Sequence, residues 1–235
     1  MYNIMFEHKF LIGNFALIII NMKIELIIFD LDGTLVNSIP DLTDSINHVC
    51  KLKNMVLISE EKVAARVGGG IVQLLEDLFD IDKDNDEFNS FMDPFMSYYE
   101  VNQTNRSFLY KNVKETIEKL SVKKLAVLSN KFDSFTKQII KDFELNEYFD
   151  SVLGTTNKLA KKPSAEPVNY IINELGVSTD KVVFVGDSEN DIKCAKNSGI
   201  RSIAVTYGYR SRTQLELLKP DYIIDDISEL SSIIN

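Results

Sequence analysis

The sequence of 235 residues contains only two cysteines, Cys50 and Cys194. They occur in unrelated contexts, so the sequence has neither a disulfide framework nor the cysteine spacing of a zinc site. Both occupy apolar positions in segments of helical period, where a buried, reduced thiol is the expected state. These features favour a reducing compartment, and we expect a cytoplasmic location.

Positive charge is in deficit. The 26 lysines and arginines are outnumbered by 35 aspartates and glutamates, which gives a formal net charge of −9 at pH 7. Nucleic-acid backbones and anionic membrane surfaces also carry negative charge, so this balance disfavours both as partners. We therefore expect no nucleic acid and no membrane among the partners, and we expect a monomer or a weak homodimer.

The sequence lacks an apolar run long enough to span a bilayer. The run at residues 10–20 has 11 residues, whereas a transmembrane helix needs about 20. It is not followed by the small-residue cleavage site of a secretory signal. Met22 lies just before KIELIIFD, which contains the first strand-like run. We therefore expect residues 1–22 to be an N-terminal extension, or the product of a misassigned start, with no part in the chemistry.

The sequence does contain enough apolar residues, 45%, to bury a large core. From Ile24 onward, short apolar runs alternate with segments of helical period. The strand-like runs are IELIIF, KLAVLS, KVVFVG, RSIAV and DYII. This alternation predicts an α/β fold with a doubly wound, Rossmann-like parallel sheet, in which ligands bind beyond the carboxyl ends of the strands.

One interval departs from the alternation. Between Pro40 and about Ser107 the sequence has helical periodicity and no convincing strand. We therefore predict that residues 39–107 form an inserted helical cap, and that residues 23–38 and 108–235 together form the catalytic core. The acidic run at residues 80–87 lacks the central glycine and the closing glutamate of a calcium loop, so a solvated turn between cap helices is the better interpretation.

Polar residues follow several of the predicted strands, and a lysine precedes a later helix. These residues are Asp30, Asp32, Ser129, Asn130, Lys162, Asp187 and Asp191. Two carboxylates about 4 Å apart repel by roughly 4 kcal/mol at an effective dielectric constant of 20, so four of them need a compensating cation. A set of oxygen ligands indicates Mg²⁺ rather than zinc. Mg²⁺ and a lysine together make a site suited to a phosphoryl group.

Four motifs, in order, resemble those of the haloacid dehalogenase-like phosphohydrolases. They are DLDGTLVNS, VLSNK, KKPSAEP and VGDSENDIKCAKNSGI, with the helical cap between the first and the second. The resemblance runs from about Lys23 to the C-terminus. The stretches VGGGIVQLL and VTYGY are similar to those of the phosphoglycolate phosphatase group within that superfamily. The resemblance implies hydrolysis of a small phosphate monoester, with phosphoglycolate as the expected substrate and Mg²⁺ as the cofactor.

The resemblance also implies the catalytic roles. Asp30 corresponds to the nucleophile that becomes an aspartyl phosphate. Asp32 corresponds to the general acid/base, and its backbone carbonyl is also expected to ligate Mg²⁺. Gly33 allows the chain to turn sharply at that point. Lys162 is expected to neutralise the charge of the nucleophile and of the transferring phosphoryl group.

Four further residues are expected to bind the phosphoryl group or the metal. Ser129 and Asn130 correspond to the phosphoryl-binding motif, although Ser129 could instead cap the following helix. Asp187 is expected to ligate Mg²⁺ together with Asp30. Asp191 is expected to complete the metal site by orienting metal-bound water, although it could equally be an acid favoured by a helix dipole.

In the cap, Arg66 and Gly69 are predicted to contact the leaving group, because a cationic side chain beside a glycine loop can bind a carboxylate. The alternative is that the glycines at 68–70 only break a helix. Lys161, beside Lys162, is expected to be a solvated surface residue. Two positions depart from the family pattern: Ala165 stands where proline is common, and YKNVKE replaces a usual Pro-Gly turn.

Three other functions use the same fold. A sugar-phosphate mutase of the β-phosphoglucomutase kind needs the same nucleophile, but GDSEND lacks the adjacent Glu-Asp pair that such mutases usually show. A non-catalytic phosphate-binding protein is disfavoured because every motif residue is present. Dehalogenation is disfavoured because dehalogenases use no Mg²⁺ and lack a residue equivalent to Asp32.

Overall fold

The computed structural model describes residues 23–234, so the predicted extension at 1–22 lies outside the described residues. The strands are β1 Leu26–Phe29, β2 Val36–Asn37, β3 Phe108–Leu109, β4 Lys124–Phe132, β5 Ser151–Thr155, β6 Val182–Gly186, β7 Arg201–Val205 and β8 Tyr222–Ile224. The helices are α1 Ile39–Leu52, α2 Glu60–Ala64, α3 Ile71–Phe79, α4 Asn89–Asn102, α5 Val113–Leu120, α6 Asp133–Asp142, α7 Glu166–Leu175, α8 Glu189–Asn197, α9 Arg212–Leu217 and α10 Leu230–Ile233. None of these helices is long and apolar enough to cross a membrane.

Within residues 23–234, six strands form one sheet in the order β5-β4-β1-β6-β7-β8, and every neighbouring pair is parallel. Helices cover both faces, which confirms the predicted α/β fold. The edge strand β5 was not predicted from the sequence. Its residues are mostly half-buried, and a glycine, Gly154, interrupts it, so it lacks the continuous apolar run of the inner strands.

The central strand β1 shows why these runs form a sheet. Its four residues are fully buried, and successive side chains point to opposite faces. Ile27 and Phe29 belong to a hydrophobic cluster that includes α5 and α6. Leu26 and Ile28 belong to a second cluster that includes α7 and α8. Burial on both faces explains why the strand reads as a continuous apolar run.

Helices α1–α4 lie between β2 and β3 and have a hydrophobic cluster of their own, which includes Ile46, Leu75, Phe95 and Tyr99. β2 and β3 pair antiparallel over two residues each, so the chain enters and leaves this helical cap side by side. The sequence did not indicate this pair, because two residues are too few to show an alternating pattern.

Asp41, in the first turn of α1, links the two segments by which the chain enters and leaves the cap. Its carboxylate accepts hydrogen bonds from the backbone N–H of Arg106, at 2.9 and 3.0 Å, and from the backbone N–H and hydroxyl of Ser107, at 2.7 and 2.6 Å. Asp41 is fully buried, so these donors compensate for the loss of its hydration. The base of the cap is therefore held by a side chain that the sequence patterns did not single out.

Candidate active site

Three aspartates meet at the carboxyl ends of the central strands. Asp30 follows β1 and Asp187 follows β6, and these strands are parallel neighbours with Phe29 aligned with Val185. Asp191 comes from the first turn of α8. One carboxylate oxygen from each aspartate lies within 4.8 Å of the others. The sheet therefore brings together three of the four aspartates that the sequence analysis assigned to a metal site.

The environment of these carboxylates is unfavourable for negative charge. Burial, followed by the charge of Asp191, raises the pKa of Asp30 to about 7, and Lys162 opposes this change. Burial, followed by the charges of Asp191 and Asp30, raises the pKa of Asp187 well above its usual value. The cluster therefore holds more negative charge than its own surroundings can stabilise.

Lys162 provides part of the missing positive charge. Its side chain is buried, and Nζ lies 2.6 Å from Oδ1 of Asp30 and 2.8 Å from Oδ1 of Asp191. Burial lowers the pKa of Lys162, but Asp191 and Asp30 together raise it by more, so the ammonium form is favoured. Lys162 thus lies where the sequence analysis expected it, on the predicted nucleophile.

Asn130 holds the loop that carries Lys162. Its Oδ1 accepts from the backbone N–H of Lys162 at 2.9 Å, and its Nδ2 donates to the carbonyl of Lys162 at 3.0 Å and to the carbonyl of Gly68 at 2.9 Å. These bonds use the amide on both sides. The structure shows a positioning role for this side chain, and its contact with substrate stays a prediction.

Ser129 lies on β4 where the pairing with β5 becomes irregular, between Leu128 and Phe132. It is buried, and its Oγ accepts a hydrogen bond from the backbone N–H of Lys131 at 3.1 Å. The N-cap of α6 is Phe132, so Ser129 does not cap that helix. The hydroxyl proton of Ser129 remains available to a ligand.

Asp191 uses both of its oxygens within the protein. Oδ1 accepts from Lys162, and Oδ2 accepts from the backbone N–H of Ser188 at 2.9 Å and from its hydroxyl at 2.6 Å. The bond from the backbone N–H of Ser188 is one half of a capping box at the start of α8. Asp191 therefore combines a helix-capping role with negative charge beside Asp30 and Asp187.

The side chain of Asp187 occupies a space that exists because residues 33 and 208 are glycines. A Cβ at Gly33, where φ is +89°, would lie 2.4 Å from Oδ2 of Asp187. A Cβ at Gly208 would lie 2.3 Å from the Cβ of Asp187. The backbone N–H of Tyr209 donates to Oδ2 of Asp187 at 2.6 Å. Gly33 and the VTYGY segment, both noted in the sequence, thus orient this carboxylate.

Asp32 is held through one of its oxygens. Oδ1 accepts a hydrogen bond from the hydroxyl of Ser38 and lies 3.2 Å from Nζ of Lys131. The backbone N–H of Ser38 in turn donates to the hydroxyl of Tyr209 at 3.1 Å. No donor from residues 23–234 reaches Oδ2, which is therefore open to a substrate. The sequence analysis missed Ser38, Lys131 and Tyr209 as neighbours of Asp32.

A small cavity of about 30 Å³ lies between the core and the cap. On the core side it is lined by Asp30, Asp32, Ser129, Asn130 and Lys131. On the cap side it is lined by Leu42, Val67, Gly68, Gly70, Ile71 and Leu74. Charged and polar groups thus face an apolar wall, an arrangement that excludes bulk water and strengthens electrostatic interactions inside the cavity.

Core side chains hold the glycine loop of the cap through its carbonyl groups. Gly68 accepts from Nδ2 of Asn130 at 2.9 Å and from Nδ2 of Asn190 at 3.0 Å. Gly69 accepts from Nζ of Lys161 at 2.7 Å, so Lys161 is exposed as expected but also binds the cap. Arg210 has a similar role, since it donates to the carbonyls of residues 64 and 67 at 3.3 and 2.9 Å.

The structure does not bring Arg66 to the cavity wall. Its guanidinium donates to the carbonyl of Lys62 at 3.2 Å, one turn back along the chain. Gly69 also lies outside the lining, and a Cβ there would meet the side chain of Gln73 at 2.1 Å. Contact of Arg66 and Gly69 with the leaving group stays a prediction.

Replacing Gly70 with alanine should lower kcat/KM by about 10-fold or more, because the cap loop could no longer close on the core. Gly70 has a φ of +90°, and a Cβ there would lie 2.6 Å from the carbonyl oxygen of Asn130. Gly176→Ala is the matched control, since Gly176 has a φ of +64° and open space around its Cβ position. Both variants should lose stability, and an equal loss of kcat/KM in both would contradict the prediction.

Comparison with known proteins agrees with this geometry. A family model described as haloacid dehalogenase-like hydrolase matches residues 27–205. The chain belongs to this family. Phosphoglycolate phosphatase from Haemophilus influenzae (strain 86-028NP) is 36% identical over 223 residues, covering 91% of this chain and 100% of that protein. Phosphoglycolate phosphatase from Mannheimia succiniciproducens is 34% identical over 223 residues, with the same coverage of both chains. The family resemblance stated from the four motifs is thereby confirmed.

Solved structures share the fold. A predicted phosphoglycolate phosphatase from Haemophilus somnus 129PT has a TM-score of 0.83 and 37% identity, covering 90% of this chain and 98% of that one. A predicted phosphatase from Clostridium acetobutylicum has a TM-score of 0.79 and 25% identity, covering 89% of this chain and 97% of that one. The similarity therefore extends over the sheet and the helical cap.

Proposed function

We propose that this protein is a Mg²⁺-dependent phosphatase that hydrolyses a small phosphate monoester, with phosphoglycolate as its preferred substrate. The observation that carries the proposal is the buried cluster of Asp30, Asp187, Asp191 and Lys162 at the carboxyl ends of β1 and β6, beneath the cap. Relatives named phosphoglycolate phosphatase, at 34–36% identity over nearly the whole chain, support the choice of substrate.

The donor set fits a magnesium ion. Three carboxylates and one ammonium group leave two negative charges uncompensated in a buried space, and all the donors are oxygen atoms. The ion would be held by the side chains of Asp30 and Asp187 and by the carbonyl of Asp32. Asp191 would act indirectly, through its contact with Lys162. A bound Mg²⁺ would withdraw negative charge from the phosphoryl oxygens and offset the repulsion between carboxylates.

The first chemical step transfers the phosphoryl group to Asp30. Lys162 binds Oδ1 of Asp30, which leaves Oδ2 as the attacking atom. A bond forms between this oxygen and phosphorus as the bond from phosphorus to the ester oxygen breaks. Asp32, whose Oδ2 is open to the cavity, gives its proton to the departing alkoxide. The hydroxyl of Ser129 holds a phosphoryl oxygen during the transfer.

The second step releases phosphate. Water attacks the phosphorus of the aspartyl phosphate, Asp32 takes the proton of that water, and the carboxylate of Asp30 is regenerated. The apolar wall of the cap, formed by Leu42, Val67, Ile71 and Leu74, keeps other water away until this point. The same carboxylate thus acts first as an acid and then as a base.

Assays of the full chain with Mg²⁺ on a panel of phosphate esters test the proposal directly. We expect the highest kcat/KM for phosphoglycolate and lower values for p-nitrophenyl phosphate and larger sugar phosphates. Conversion of β-glucose 1-phosphate into glucose 6-phosphate would favour the mutase alternative instead. Absence of phosphate release from every ester in the panel would refute the proposed function.

The metal-free protein should lose stability as the pH rises from about 4 towards 7, because the pKa of Asp30 is raised from 3.8 to about 7 and that of Asp187 is also raised. A carboxyl group with a raised folded-state pKa contributes stability fully below its unfolded pKa and loses that contribution as the pH passes through its folded pKa.

Thermal melting of the metal-free protein at about pH 5 and about pH 7.5 measures this loss, and Mg²⁺ should raise Tm more at the higher pH. Asp187→Asn is the comparison, since it removes one of the two titrating groups and should flatten the dependence. A metal-free Tm that rises across this window would contradict the prediction.

A further inference from the structure

Lys131 is the only cationic side chain that lines the cavity among residues 23–234. It lies on β4, and 2% of its side chain is exposed. Its Nζ lies 3.2 Å from Oδ1 of Asp32 and donates to the hydroxyl of Tyr99 at 2.7 Å. A buried lysine is costly unless it is paired or has a ligand to bind, so this placement calls for an explanation.

The two buried lysines of the site differ in their surroundings. Lys162 is bonded to two carboxylates, Asp30 and Asp191, and does not line the cavity. Lys131 is close to one carboxylate, Asp32, and its other contact is a neutral phenol. The ammonium of Lys131 can therefore bind a second negatively charged group. It lines the cavity in which a leaving group would lie.

The position of Lys131 depends on the cap. Tyr99 belongs to α4 and is fully buried, with its ring 5.5 Å from that of Phe95 and 5.2 Å from that of Phe135. The ammonium of Lys131 lies 4.8 Å from the centre of the Tyr99 ring, which adds a cation–π contact. A cap residue thus fixes the direction in which this core lysine points.

In the part of the chain that the structure describes, the cap side of the cavity lining contains no cation. Its side chains there are those of Leu42, Val67, Ile71 and Leu74, together with the glycine backbone at 68 and 70. A carboxylate on the leaving group would lose its hydration against this wall without gaining a partner. Among residues 23–234, the cation in the cavity lining is the ammonium of Lys131, on the core side.

We propose that Lys131 is a specificity-determining residue: its ammonium binds a carboxylate that the leaving group carries next to the ester oxygen. Asp32 meets the ester oxygen in the proposed function, on which this inference rests. Lys131 lies one hydrogen-bond length from Asp32, so it reaches a negative charge only a few bonds away from that oxygen. Phosphate esters of short 2-hydroxy acids fit this spacing, whereas long or uncharged alcohols do not.

Two substrates of equal chain length distinguish binding of the leaving group's carboxylate by Lys131 from an effect of Lys131 on Asp32 alone. Phosphoglycolate carries the carboxylate, and 2-hydroxyethyl phosphate carries a neutral hydroxyl in its place. Lys131→Met removes the charge while keeping a long side chain, and it should lower kcat/KM for phosphoglycolate by about 100-fold but for 2-hydroxyethyl phosphate by no more than about 5-fold. Equal losses on both substrates would overturn the proposal, since they would show that Lys131 acts only on Asp32.

Lys114→Met is the matched control. Lys114 lies on α5, outside the cavity lining, and forms an exposed ion pair with Glu144. The same substitution there should leave kcat/KM unchanged for both substrates. Tyr99→Phe keeps the aromatic ring and removes the hydroxyl that holds Lys131. It should reduce the preference for phosphoglycolate in the same direction as Lys131→Met, by about 10-fold. An unchanged preference in Tyr99→Phe would argue against fixation of the ammonium by the cap.

The unmodified protein provides a test that does not depend on folding of a variant. Its kcat/KM for phosphoglycolate should exceed that for 2-hydroxyethyl phosphate by about 100-fold. A ratio near one, with both esters hydrolysed, would overturn the role of Lys131 and leave the phosphatase function intact. If neither of these esters is hydrolysed, and no other ester in the panel is hydrolysed, the proposed function itself is refuted.

Discussion

Replacing Asp30 with asparagine should abolish turnover, with a loss in kcat on the order of 10⁴-fold or more. An amide in place of the carboxylate cannot attack phosphorus, and no other carboxylate has the same position. Asp30 alone follows β1 directly, beneath the cavity, with Lys162 bound to its other oxygen. The measurement is phosphate release at saturating substrate and Mg²⁺. A beryllium fluoride adduct, which mimics the aspartyl phosphate, should be found on Asp30, and an adduct on another residue would overturn the mechanism.

Stability distinguishes loss of the nucleophile from loss of the fold. The raised pKa of Asp30 shows that its ionised form is unfavourable in the metal-free site, so Asp30→Asn should melt at the same temperature as the unmodified protein or higher when metal is absent. Asp225→Asn is the matched control, because Asp225 lies in an exposed ion pair with Arg212 and should retain full activity. Residual turnover of Asp30→Asn within about 10-fold of the unmodified protein would exclude Asp30 as the nucleophile.

Removing Mg²⁺ should have the second large effect, namely complete loss of turnover that returns when Mg²⁺ is added back. Without a cation, the ionised carboxylates in the cluster of Asp30, Asp187, Asp191 and Lys162 would repel a phosphate ester. Ca²⁺ should not restore the reaction, because it prefers more ligands at longer distances than Mg²⁺. The measurement is phosphate release after treatment with chelator, followed by titration with each metal.

The control for metal removal is an unfolding measurement, which shows whether the chelated protein keeps its fold. The hydrophobic clusters of the sheet and of the cap do not involve the metal site, so the chelated protein should still unfold cooperatively. Full activity in excess chelator would contradict the magnesium proposal. Equal activity with Ca²⁺ would contradict the assignment of a small, octahedral ion.

Much of the core could be predicted from the sequence because its elements are set by local pattern. The inner strands are apolar runs buried on both faces, as in β1 and β6, and they read clearly without knowledge of their partners. Parallel strands end at one edge, so the positions of Asp30 and Asp187 after their strands were enough to predict that they meet. The half-buried edge strand β5 and the two-residue strands β2 and β3 were missed because their patterns are weak or too short.

The neighbours of the predicted site residues could not be predicted in this way. Lys131 and Tyr99 are 32 residues apart, and their contact depends on where α4 lies when the cap covers the core. The same holds for Arg210, which reaches the carbonyl of Val67 from 143 residues away. Arg66 stands beside the glycine loop in the sequence, yet the structure directs its guanidinium to Lys62. Nearness along the chain does not fix the direction of a side chain.

By itself, the sequence determined five of the six strands of the sheet, the family and the set of chemical groups at the strand ends, because each of these follows from residue type and spacing within a short segment. Only the tertiary structure decided which lysine lines the cavity, which side chain holds the Lys162 loop and which carbonyls bind the cap to the core. These contacts join segments far apart in the chain, and their geometry is fixed by packing of the cap against the core, for which a single sequence carries no local signal.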